Sequence, residues 1–101
     1  MKFASFLTLL SVTFPYNNAM RIDKFLNAVN ITKRRSIAQD MLANKVVSIN
    51  DAVVKPSKNI TLGDVITINY LESVKRYEVL QIPTTKSTPK SLQSEYIKEL
   101  L

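Results

Sequence analysis

The apolar residues of this chain change period once, and that change bounds the fold. Ile22, Phe25, Leu26 and Val29 fall at i, i+3, i+4 and i+7, one face of a two-turn amphipathic helix. After a break at Asn30-Ile31, Thr32 is a candidate N-cap for a second helix running to about Asn44, with Ile37, Ala38, Met41 and Leu42 as its buried stripe. From Val46 onward the pattern is that of strands. Val46 to Asn50 and Ala52 to Lys55 flank Asn50-Asp51, a pair suited to a tight two-residue hairpin. Pro56 ends the second run, Ser57-Lys58-Asn59 reads as a loop, and in Leu62-Gly63-Asp64 the chain's one glycine supplies a positive φ. Val65, Ile66, Ile68 and Tyr70 make a third strand, and Tyr77, Val79, Leu80 and Ile82 a fourth. Two short helices packed on a small, mostly antiparallel sheet give an α+β fold.

Three consecutive cations, Lys33-Arg34-Arg35, fall where the second helix is expected to begin. The helix macrodipole is positive at that end, so each exposed cation there is unfavourable by about 0.3–1 kcal/mol. An anionic partner is therefore expected, and free backbone N–H groups at a helix start suit phosphate. Arg35, Ser36 and Gln39 share the exposed side of this helix, whereas the stem of Arg34 lies over the apolar stripe with its head in water. Arg35 accordingly ranks ahead of Arg34. Asp23, close to Arg21, is expected to form a structural ion pair with Arg21 or another arginine.

The charge is uneven along the chain. Residues 20 to 60 hold eight Lys/Arg against three Asp/Glu, whereas residues 61 to 101 hold five of each. A localised basic field suits RNA, DNA or an anionic membrane face. With neither Cys nor His, the chain lacks disulfides, thiolate metal sites, cysteine nucleophiles and histidine acid–base chemistry. No cofactor, metal or catalytic activity is expected. The basic stretch is poor in aromatics, so recognition of folded RNA by shape is favoured over a single-strand stacking platform.

A chain of 101 residues makes one small domain with an appendage. Residues 1–19 read either as a signal-like segment, with Lys2 before the apolar run Phe3 to Phe14, or as sequence upstream of a start at Met20. The second reading is preferred, because a basic nucleic-acid binder has little to bind after export; Asn17 also makes a poor cleavage site, and the run is too short to span a bilayer. Residues 20–82 form the domain. Residues 83–101 read as a polar, proline-punctuated tether followed by a short amphipathic helix carrying Leu92, Tyr96, Ile97, Leu100 and Leu101, which folds back on the domain.

The segments Met20-Arg21-Ile22-Asp23-Lys24-Phe25-Leu26, Lys33-Arg34-Arg35-Ser36-Ile37-Ala38, Val47-Ser48-Ile49-Asn50, Val54-Lys55-Pro56-Ser57 and Leu62-Gly63-Asp64-Val65-Ile66 together resemble the S-four-type RNA-binding domain. The resemblance is closest to its small free-standing form, the bacterial fifteen-kilodalton heat-shock protein and RqcP family. It implies the αL motif, with an RNA face built from two helix starts and the following hairpin. The contacts it implies are Arg21, Lys24, Lys33, Arg34, Arg35, Ser36 and Gln39, with Lys55 and Ser57 at the rim. Asn50 matches the hairpin Asn, where turn geometry and RNA contact are both open readings. Two positions depart from the family pattern. Lys45 and Asp51 stand where glycine is usual, and Asn44 is expected to take the left-handed cap one position early.

The resemblance further implies binding to large-subunit rRNA and peptidyl-tRNA on stalled large ribosomal subunits, with RqcH as a possible partner. The protein is then a cytoplasmic monomer with no membrane role, serving subunit recycling or alanine tailing. Rival readings are an interaction module acting through the C-terminal helix, a targeting remnant of an RNA-modifying enzyme, and an exported basic protein acting at membranes.

Overall fold

The computed structural model describes residues 20–100. The signal-like segment 1–19 and Leu101 lie outside the described residues. Elements follow in the order β1 (Met20–Arg21), α1 (Ile22–Ala28), α2 (Arg35–Ala43), β2 (Val47–Ile49), β3 (Ala52–Val53), β4 (Asn59–Ile60), β5 (Val65–Asn69) and β6 (Val74–Val79). A 3-10 turn (Lys90–Leu92), the single-turn α3 (Gln93–Tyr96) and β7 (Ile97–Leu100) complete the fold. The main sheet has five antiparallel strands in the order β3-β2-β5-β6-β7, and β1 pairs separately with β4. This is the expected α+β fold.

Register explains how so short a chain closes a core. Val47 opposes Ile68 and Ile49 opposes Ile66, so these four share one face of the sheet, as do Val79 and its partner Ile97. That face receives Ile22, Phe25, Leu26 and Val29 from the α1 region and Ala38 and Leu42 from α2, all buried. Full burial of a large apolar side chain stabilises by roughly 1.5–3 kcal/mol, and these contacts fix both helices on the sheet.

The hairpin forms as expected. Asn50 and Asp51 both have positive φ (51° and 70°), the signature of a type I′ turn that matches strand twist. Gly63 supplies φ 85° at its turn. The two-residue ladder of Met20 with Ile60 and Arg21 with Asn59 is too short to leave a sequence pattern.

Several expectations are corrected. Thr32 does not cap α2. It is buried, its hydroxyl donates to the Arg34 carbonyl, and its N–H and that of Ile31 both donate to Leu26 O. That turn, opened by Asn30 at φ 67°, uses up Thr32 and Lys33, so α2 starts at Arg35 with Arg34 as an extended N-cap. Ile37 leaves the buried stripe and is 41% exposed, while Ala38 and Leu42 stay buried. Lys45, not Asn44, adopts the left-handed conformation (φ 62° against −84°).

The tail folds back, with helical turns over residues 90–96 and then a strand. Ile97–Leu100 pairs with β6, because β6 would otherwise be an open edge and Ile97 completes the core beside Val79. The stretch from Pro83 to Lys90 is no free tether. The Thr88 N–H and hydroxyl both donate to Ala28 O at 2.9 Å, Asn30 Nδ2 donates to Thr88 O, and Gln93 Nε2 donates to Val29 O. The bonds to Ala28 O and Val29 O satisfy carbonyls that the end of α1 leaves without helical partners.

Candidate nucleic-acid interface

Four segments bring the basic residues to one end of the helix pair. β1 carries Arg21 into the first turn of α1, where Lys24 is exposed. Lys33 and Arg34 are exposed on the turn before α2, with Arg35, Ser36 and Gln39 following on the helix. The loop from Lys55 to Lys58 docks on the start of α1, since Pro56 O accepts from the Asp23 N–H and Lys58 O from the Ile22 N–H at 2.7 Å. Lys55, Ser57 and Lys58 are thereby exposed at the same end.

Asp23 lies at the centre. Its side chain is 0% exposed and carries ion pairs to Arg21 (3.0 Å) and Arg35 (3.3 Å), each 42% exposed, plus a hydrogen bond from Gln39 Nε2 at 3.0 Å. Burial pushes its pKa up, but hydrogen bonds from Gln39 and the Lys24 N–H and the charges of Arg35 and Arg21 outweigh it, leaving the carboxyl below its ordinary value. The expected pairing with Arg21 or another arginine is met by both at once.

The basic turn is less concentrated on the helix tip than the sequence suggested. Only Arg35 is in the first turn of α2, and Asp23 half neutralises it. Among the described residues, Lys24, Lys33 and Arg34 have no side-chain ion pair. Arg34, ranked behind Arg35 from the sequence, is the more exposed of the two. No side chain caps α2.

Asn50 has a structural role. Its Nδ2 donates to Asp64 Oδ1 (3.1 Å) and its Oδ1 accepts from the Val65 N–H (3.0 Å), tying the hairpin tip to β5. Asp51 bonds Arg76 instead of facing the patch. A shallow concavity of about 410 Å³, lined by Asn50, Val54, Lys58, Asn59 and Asp64 among others, joins hairpin to loop. Lys58, read from the sequence only as a loop residue, belongs to the patch; its signal was charge two residues after Pro56. Among the described residues there is no group of three or more candidate metal ligands and no helix long and apolar enough to cross a membrane.

Two helix starts and a docked loop that present cations around one buried carboxylate, beside a tight hairpin, define an RNA-binding domain of the S4 type, and residues 20–66 match the S4 domain family. The chain is 46% identical over 78 residues to the RQC P-site tRNA stabilizing factor of Helicobacter pylori strain J99, covering 77% of this chain and 93% of that one. Among solved structures, it resembles the solution structure of a hypothetical protein at 40% identity (TM-score 0.72, 81% and 98% covered). It also resembles the trimeric heat shock protein 15 of Vibrio cholerae at 27% identity (TM-score 0.74, 81% and 82% covered). The chain belongs to the family of S4-domain proteins that holds the RQC P-site tRNA stabilizing factors and heat shock protein 15. That family is non-catalytic.

Proposed function

We propose that this protein is a P-site tRNA stabilizing factor of ribosome-associated quality control, binding peptidyl-tRNA on stalled large ribosomal subunits. The observation that carries this reading is the set of cations held on rigid elements around Asp23. Lys24, Lys33, Arg34, Lys55 and Lys58 reach phosphates without prior ion pairs. Arg21 and Arg35 present guanidinium edges, and Ser36 and Gln39 offer hydrogen-bonding groups to ribose or base edges. Ser57 lies at the rim, and Asn50 shapes the hairpin beside it.

Such a surface grips backbone geometry, which suits two structured RNAs meeting at one place, the tRNA and the large-subunit rRNA. RqcH is the protein partner in this reading, and the factor acts in the cytoplasm as a monomer. The rival that worked through a C-terminal amphipathic helix loses support, since Ile97 and Leu100 pair in β7 and Ile97 is buried in the core, although Leu92 stays exposed. Gradient sedimentation of the tagged full chain, with crosslinking to identify bound RNA, tests the proposal. Recovery with free large subunits, crosslinked to tRNA, is expected. Co-migration with small subunits or messenger RNA alone would overturn it, and the mass measured in the unbound fraction decides monomer against trimer.

A further inference from the structure

Charge counting gives Asp23 the wrong sign for a surface that meets phosphate. Its side chain is nevertheless wholly buried, and both oxygens are occupied. Oδ1 accepts from Arg21 Nε (3.2 Å) and the Lys24 N–H (2.8 Å). Oδ2 accepts from Arg21 Nη2 (3.0 Å), Arg35 Nε (3.3 Å) and Gln39 Nε2 (3.0 Å). Two guanidinium groups from separate elements, β1 and α2, therefore converge on a single oxygen.

The atoms used for this convergence matter. Arg21 engages Nε and Nη2, which leaves Nη1 clear of the carboxylate. Arg35 engages Nε alone, which leaves both of its Nη groups clear. Each side chain is 42% exposed, so the inner edge is held while the outer part meets solvent. A free arginine samples many rotamers, and ordering two of them on one phosphate costs conformational entropy at the moment of binding. Here the carboxylate has ordered them beforehand, and guanidinium Nη groups match phosphate oxygens in forked geometry.

We propose that Asp23 is a positioning residue that fixes Arg21 and Arg35 as a paired clamp for one backbone phosphate of the bound RNA. This rests on the RNA-binding reading above and deepens it. The consequence runs against net charge: removing this anion weakens binding to a polyanion. Asn at position 23 keeps the shape and one acceptor, but turns an amide donor toward guanidinium groups that are themselves donors only.

The test is fluorescence anisotropy of a fluorescein-labelled tRNA transcript with the full chain, comparing wild type, Asp23→Asn, Arg35→Lys, Arg21→Gln/Arg35→Gln, and that pair combined with Asp23→Asn. Asp23→Asn is expected to bind about tenfold more weakly, the loss of a charge-assisted hydrogen bond. Arg35→Lys, with unchanged net charge, loses about as much, because an ammonium cannot span the fork. In the double-Gln background Asp23→Asn adds less than about twofold, since it acts through the arginines.

The Nε–H resonances of Arg21 and Arg35, resolved in the wild-type nitrogen–proton correlation spectrum, should move to the free-arginine position in Asp23→Asn while the backbone amides stay dispersed. A folded Asp23→Asn that binds as tightly as wild type or tighter overturns the inference. So does Arg35→Lys binding at wild-type strength, a result that stands even if Asp23→Asn proves unstable. Failure of the wild-type chain to bind the tRNA overturns the RNA-binding reading itself, a different outcome from intact binding that is indifferent to position 23.

Discussion

Replacing Arg34 by Gln should change the salt dependence of RNA binding by an amount set by the structure. Lys24, Lys33, Arg34, Lys55 and Lys58 are exposed, whereas Arg21 and Arg35 already share Asp23. Taking about five phosphates as neutralised, counterion release gives a log–log slope between roughly −3.5 and −4.5. A fourfold rise in salt, from about 50 to 200 mM, then weakens wild-type binding roughly 100- to 500-fold. Arg34→Gln removes one contact and flattens the slope by about 0.7–0.9, so over the same range it loses about threefold less. Anisotropy titrations with a labelled tRNA at four salt concentrations measure both slopes. Lys86→Gln, on the exposed connection before the tail, is the control and should leave the slope unchanged. Parallel lines for wild type and Arg34→Gln would refute the argument, because a cation on the interface cannot be removed without releasing fewer counterions.

Lys45 holds φ 62° without being glycine, so Lys45→Gly should stabilise the fold by about 0.5–1 kcal/mol, read as a higher urea midpoint at unchanged slope. Ile97 is 5% exposed against Val79, and Ile97→Ala should destabilise by about 2–4 kcal/mol in the same assay; a loss below about 0.5 kcal/mol would mean that β7 is not part of the cooperative unit. The depressed pKa of Asp23 gives a pH signature with a definite sign. Its contribution to stability is complete above the unfolded carboxyl value of about 4 and is lost as pH falls through the lower folded value. The urea-midpoint difference between wild type and Asp23→Asn should therefore be largest near neutrality and shrink toward about pH 2, and a constant difference would show that the carboxylate is not stabilised by its neighbours.

How much could be read beforehand follows from the range of each interaction. The apolar spacing of Ile22, Phe25, Leu26 and Val29 and the Asn50-Asp51 turn are local patterns, and both appear in the structure as expected. Beyond Tyr96, which closes α3, Ile97 and Leu100 fit a helical stripe and an edge strand equally over so few residues, and the open side of β6 decides for the strand. Thr32 failed as a cap for a similar reason: the turn around Asn30 draws on Leu26 carbonyls that no spacing rule counts. In the basic patch, charge marked the residues, but the link from Asp23 to Gln39 joins positions 16 apart and exists only once α1 packs on α2. Lys58 went unassigned because its placement depends on the docking of its own carbonyl against Ile22.

The S4 match ends at residue 66, just inside β5, while β6, β7 and the Thr88 strap on α1 lie beyond it. The S4 domain match is thus shorter than the stretch that folds together. A fragment cut after residue 82 would keep every proposed RNA contact yet bare the whole hydrogen-bonding rim of β6, and such rims invite strand exchange between molecules. Such a fragment should self-associate more readily than the full chain as its concentration rises. Transplanting this RNA reader onto another protein therefore means carrying its tail along as well.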